Sequence, residues 1–374
     1  MRKHQGHTGS SSVIRRPSER SLFQHSLVVI LPLAILTAVA LGFGFKFAGD
    51  NSAARVRMIE ASLAVIGGAG AALALVVNYR RQQVLEDQDE RSYREAHTKQ
   101  FSDFTEQLAD ARGPVKLAGA YSLLRLADEW NEQRQQVIQV LCAYLRLPWQ
   151  QESEDHTLTV EREVRNTILR EMVSRMQLGG SFTESSYDYD FSGATFKDFI
   201  SFRGAIFTGN VNFVRACFLE PVDFTKSVFN GYADFRDSKF LFKHKGGILL
   251  SDEAFKSGDF TNVEFQGSAR FDRVTFDGPA DFTSSVFGST TNFSLTSFKQ
   301  DTYFTRARFK GSCDFQAVFE FNVSFANADL NGNVIFNVCT FNYGAIFQDV
   351  DTWPIGIPEP PPCRIKVSIR NSTN

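Results

Sequence analysis

Cysteine is scarce and poorly placed for a framework. The 374-residue chain has five, Cys142, Cys217, Cys313, Cys339 and Cys363, an odd number with no CxxC spacing. That argues against a disulfide scaffold and leaves small buried thiols. Histidine is as sparse, with six at positions 4, 7, 25, 97, 156 and 244 and no two at ligand spacing in one element. No metal site is therefore expected. There is no Walker loop, no GxGxxG and no GxSxG, and Gly42-Phe43-Gly44 sits in an apolar run. An excess of one charge is also missing: the net is −2, so nothing pulls the whole molecule toward nucleic acid. These absences imply no catalytic constellation, no cofactor and no small-molecule substrate.

What is abundant is Phe. Of 37 in the chain, 31 lie between Phe182 and Phe347, so the two halves follow different rules. The expected division is a disordered basic tail over 1–25, two membrane helices over 26–79, a helical stalk and domain over 80–178, a repeat domain over 179–350 and a Pro-rich tail over 351–374.

Two runs, Ser26–Phe45 and Ala61–Tyr79, carry no charge. Each has about the 20 residues that cross a hydrocarbon core as a helix. Gly67–Ala71 and Gly68–Ala72 place small residues four apart in the second run, which lets helices approach closely in lipid. Five Lys/Arg precede the first run, and Arg80, Arg81, Arg91, Arg94 and Lys99 follow the second. The segment between holds only Lys46, Arg55 and Arg57. The bias puts both termini in the cytoplasm of a multi-pass inner (plasma) membrane protein. A cleaved signal peptide at Ala38-Val39-Ala40 is the rival reading. The polar segment 80–112 continues as a helical stalk, and Asp87-Gln88-Asp89-Glu90 is a solvated helix surface. Three short amphipathic helices follow, over Val115–Trp130, Gln133–Leu147 and Glu161–Leu178, with a polar linker at 149–160.

From Phe191 the Phe spacing alternates five and six: Phe196, Phe202, Phe207, Phe213, Phe218, Phe224, Phe229, Phe235 and Phe240. After a break the ladder resumes at Phe260 and Phe265. It then runs through Phe271, Phe276, Phe282, Phe287, Phe293, Phe298, Phe304, Phe309 and Phe315, slips near Phe319-Glu320-Phe321, and ends through Phe325, Leu330, Phe336, Phe341 and Phe347. A small or β-branched residue stands two before each ring, as at Ala194, Ala205, Val211 and Cys313. Asp or Asn stands just before alternate rings, as at Asn212, Asp223 and Asp234. Neither a 3.6-residue nor a 2-residue period keeps rings five and six apart on one side. A coil that turns a corner after each unit does, with ring and small residue both inward.

The register resembles the pentapeptide-repeat family. Leu117 to Trp149, LAGAYSLLRLADEWNEQRQQVIQVLCAYLRLPW, resembles the helical segment before the repeats of bacterial membrane-anchored members. The resemblance implies an α+β chain: an N-terminal two-helix transmembrane hairpin, a short α-helical segment and a C-terminal right-handed quadrilateral β-helix. It also implies four faces and about 20–22 residues per coil, stacked at the inter-strand spacing of about 4.8 Å. The helix at 161–178 is placed to cap the first coil, and the Pro-rich tail to end the rod and fray.

The ladder fails over Leu241–Asp259, which reads as an inserted loop, and Lys243, His244 and Lys245 in it are candidate partner-binding residues. Asp188 and Asp190 form a carboxylate pair at a polar strand edge. The function expected is a non-catalytic membrane-tethered scaffold or protein-binding module. Its partners would be the lipid bilayer, an unidentified protein and further copies of the chain through the membrane helices or a β-helix end. The alternative is a DNA mimic that regulates a topoisomerase or another nucleic-acid-binding protein. Residues 182–350 hold 20 Asp/Glu against 15 Lys/Arg with the basic residues interspersed, which disfavours it.

Overall fold

The structure, a computed structural model, describes residues 35, 38–39, 46, 52–149, 155–242, 256–359, 361–363 and 365–369. It divides into two units, residues 1–94 and 95–374. Helix α1 spans Ser52–Ala109. The second uncharged run lies in it, and the first lies outside the described residues apart from Ile35, Ala38 and Val39. Among the described residues no helix is long and apolar enough to cross a membrane. The expected hairpin is therefore not found. The helix carrying the second run continues unbroken into the charged segment from Arg80 onward.

In the second unit, helices α2 (Gly113–Glu129), α3 (Arg134–Arg146) and α4 (Asp155–Arg175) pack together. Each buries one apolar stripe: Ala120, Leu123, Leu124 and Ala127 on α2, Val137, Ile138 and Leu141 on α3, Val164, Ile168 and Met172 on α4. Pro114 starts α2 in its first turn. Pro148 forces Leu147 into an extended conformation and stops α3. α4 begins at Asp155, inside the stretch expected to be linker. Gly179, at φ +81°, carries the chain out of it.

From Tyr189 the chain coils through four faces, and strands four apart in sequence order pair in parallel until face 4 runs out after Arg308–Phe309. Face 1 runs from Tyr189–Asp190 to Val334–Ile335, and face 2 from Thr195–Phe196 to Thr340–Phe341. Face 3 begins at Ile200–Ser201, and face 4 runs from Ile206–Phe207 to Arg308–Phe309. Partners are 22 residues apart, as in Val211 with Ala233. They are 36 apart across the insertion, Ala233 with Ala269, so the insertion adds 14 residues. The break is shorter than expected. Ser257 already donates to the Pro279 carbonyl at 2.8 Å, and Gly258–Asp259 pairs in register with Val222–Asp223.

Two kinds of corner explain the alternation of five and six. Five-residue steps turn through a tight β-turn whose third residue is left-handed: Arg215, Lys226, Asp237, Asn262, Arg273, Ser284, Leu295 and Arg306 all lie at φ 56–60°. In each, the residue two before the next ring donates to the carbonyl of the previous ring, as Ala216 does to Phe213 at 2.9 Å. The Asp or Asn before that ring accepts from the backbone two residues on: Asn212 from Val214 at 2.9 Å, Asp223 from Thr225 at 2.8 Å, Asp281 from Thr283 at 2.8 Å. Side-chain capping of the turn is why these residues recur only at alternate rings. At the six-residue corner between faces 4 and 1 the backbones touch. A Cβ on Gly231 would lie 2.4 Å from the Gly209 carbonyl oxygen, and one on Gly267 2.1 Å from that of Gly231.

Candidate interaction surfaces of the repeat coil

The ladder residues all turn inward. Phe196, Phe202, Phe207, Phe213, Phe218, Phe224, Phe229 and Phe235 are buried, as are Phe271, Phe276, Phe282, Phe287, Phe293, Phe298, Phe304, Phe309 and Phe315. They form four columns of parallel rings. In the first, Phe271, Phe293 and Phe315 follow one another with centroids 4.8 Å apart and planes within 6°. Rings of opposite columns meet edge to face, as Phe282 on face 3 does Phe293 on face 1 at 5.7 Å and 86°. Both arrangements suit the aromatic quadrupole. The interior is thus filled, and what the coil can offer a ligand is its outside.

The slip near residue 320 has a local cause. Phe315 to Phe319 is a four-residue step in which Phe319, not Phe321, joins the column. The left-handed corner residue is missing there, so Ser297 pairs with Val318 at a separation of 21. Phe321 is left outside, stacked on Tyr343 at 5.2 Å and 4°, and both are exposed.

Lys243, His244 and Lys245 lie outside the described residues. Asp188 and Asp190 do not converge on a site. Asp188 accepts from the Asn210 backbone at 2.7 Å, and Asp190 accepts from Ser192 at 3.0 Å and from Arg146 at 2.6 Å. Among the described residues no His, Cys, Asp or Glu group could hold a metal ion. The cysteines are free. Burial pushes the Cys142 and Cys339 thiols up to about 12, which keeps them protonated and poor nucleophiles.

Sequence reasoning missed two polar hubs, one that ties the helices to the segment leading into the coil and one that ties the helices to each other. Arg134 is 1% exposed and donates to the carbonyls of Ala127 and Ser181 and to Glu184, each at 2.6 Å, and to Tyr187 at 3.1 Å. Glu161 accepts from Arg165 at 2.7 Å, Tyr144 at 2.8 Å and Lys116 at 3.0 Å. Burial raises the Glu161 carboxyl, but those three donors outweigh it and hold it below its ordinary range. Locally the sequence marks only the Glu161–Arg165 pair, four apart on one helix, while the partners that make each residue a hub lie 17 to 53 residues away.

The free edge of the first coil is covered. The Gln135 side chain pairs with both the N–H and the carbonyl of Asp188, at 2.9 and 2.8 Å. Met176 accepts from the Ile206 backbone at 2.8 Å, and Trp149 donates to Thr195 at 2.8 Å. So α3 shares the cap that was expected of the 161–178 helix alone. At the far end the Pro-rich tail does not simply leave. Ile365–Ile369 adds a parallel strand to Ala345–Val350 on face 3, and Ile355 bridges Ile335 on face 1. Prolines are tolerated there because an end strand need not donate every N–H.

Residues 191–239, 260–308 and 271–318 match the family described as pentapeptide repeats (9 copies). The C-terminal half is a pentapeptide-repeat β-solenoid. The matched segments of the solenoid stop at 239 and restart at 260, on either side of the insertion. Comparison with curated proteins found no match, and comparison with solved structures found none.

Proposed function

We propose that this chain is a non-catalytic scaffold or protein-binding module whose pentapeptide-repeat solenoid is a right-handed quadrilateral coil tethered at the cytoplasmic face of a bacterial inner membrane. The observation that carries the binding reading is the contrast between a ring-filled interior and an exterior bearing an exposed aromatic pair, Phe321 and Tyr343. Apolar rings left in water are favoured at interfaces and costly elsewhere. The tether is supported by the uncharged run Ala61–Tyr79, whose Leu63, Leu75, Val76 and Val77 are exposed.

A nucleic-acid mimic would need acids free to face a partner. Here Asp223 pairs with Arg203, Asp234 with Arg236, Asp272 with Arg270 and Asp237 with Arg273, while Lys256 lies 3.1 Å from Asp259 and 2.6 Å from Asp281. Affinity capture from detergent-solubilised membranes is the test. Recovery of a topoisomerase subunit would favour the mimic over the scaffold. Release of the protein from membranes by an alkaline carbonate wash would remove the tether.

A further inference from the structure

Face 2 stops one strand short of its neighbours. Among the described residues its last strand is Thr340–Phe341, whereas the returning tail adds Ile355 to face 1 and Ile365–Ile369 to face 3. The chain between those two additions contains Pro358-Glu359-Pro360-Pro361-Pro362, and proline has no N–H to give a ladder. Every face-2 strand after the first, together with the residue that follows it, donates to two carbonyls of the coil before it, as Thr340 does to Ala317 and Asn342 to Phe319, each at 3.0 Å. The equivalent carbonyls of Cys339 and Phe341 receive no backbone N–H among the described residues. The second column of rings ends there too. Phe196, Phe218, Phe240, Phe276, Phe298 and Phe319 are buried, but Phe341 is half-buried. Its surroundings are a groove of about 460 Å³ lined by Phe336, Cys339, Phe341, Ile357, Pro358 and Cys363.

We infer that this groove accepts an extended segment of a partner protein as the missing face-2 strand, with an aromatic side chain of that segment stacked on Phe341. The inference rests on the protein-binding reading and names the chemistry of the partner. The ladder itself defines the occupant. Six successive ring pairs in this column, from Phe196–Phe218 to Phe319–Phe341, lie 4.6 to 5.3 Å apart. An aromatic residue would continue this stack, flanked by residues with free N–H groups to meet the two carbonyls. Strand addition supplies main-chain affinity, and the ring supplies selectivity.

The test uses the full chain in detergent and a peptide copying residues 295–301, a native face-2 strand, with p-benzoylphenylalanine in place of its Phe. Irradiation is expected to crosslink the peptide to residues 336–341 and 356–363, read by mass spectrometry. The unmodified peptide should compete at least about tenfold better than its Phe-to-Ser form, a difference of about 1.4 kcal/mol. Cys363→Trp, at an exposed position, should fill the groove and abolish labelling, as should alkylation of the Cys363 thiol in the otherwise unaltered protein. Labelling spread over other columns, equal competition by the Ser peptide, or labelling unchanged after both blocks would overturn the inference. A captured partner retained equally by Cys363→Trp would leave the binding reading standing and remove this site. Specific labelling with no partner captured would leave the groove a strand acceptor and remove the scaffold reading.

Discussion

Phe319 lies flat on Phe298, centroids 4.9 Å apart and planes within 1°, although 21 residues separate them where 22 is the rule. The coil absorbs the loss by omitting one corner residue and leaves ring contact unchanged. Column stacking therefore outranks corner geometry.

Phe293 is sandwiched between Phe271 and Phe315. Phe293→Ala should destabilise the solenoid by about 3–5 kcal/mol, the cost of emptying a packed aromatic site. Phe321→Ala, on the exposed pair, should change the denaturant midpoint little. Urea unfolding of both variants checks the contrast, and equal losses would contradict the inward assignment.

Leu295 holds φ at 58° with 67% of its surface exposed. A left-handed non-glycine residue costs about 1–2 kcal/mol, and glycine in the unfolded chain gives back about 0.5–1. Leu295→Gly should thus raise stability by about 0.5–1 kcal/mol, read as a higher melting temperature. A lower melting temperature would mean that the Leu295 side chain supports the corner.

The Arg134 guanidinium is buried among carbonyls and Glu184. Arg134→Met should cost about 1–3 kcal/mol, because it leaves the Ala127 and Ser181 carbonyls without that donor while Glu184 is exposed to water. Hydrogen exchange should show the loss first in α2, α3 and the first coil, with the later coils protected.

The Glu161 carboxyl is held below its ordinary value of 4.5. A carboxylate with a depressed folded pKa stabilises above its unfolded pKa and loses that contribution as pH falls through the folded value. Stability should therefore decline as pH drops below about 4.5, and Glu161→Gln should flatten that part of the curve. Chemical denaturation at pH 3, 4, 5 and 7 measures it, and identical slopes in both proteins would exclude Glu161 as a contributor.

The sequence alone determined the inward ladder and the Asp or Asn before alternate rings, and the family resemblance supplied the four faces. The ladder and the turn residues depend on positions a few residues apart, so periodicity carries them. Only the tertiary structure decided how the ends are satisfied and which ring fills the slip. Gln135 reaching Asp188, Met176 accepting from Ile206, and Ile365–Ile369 returning to face 3 are pairings across tens of residues or between unlike elements. Backbone groups at a coil's end take whichever partner folding brings near, and no repeat in the chain encodes that partner.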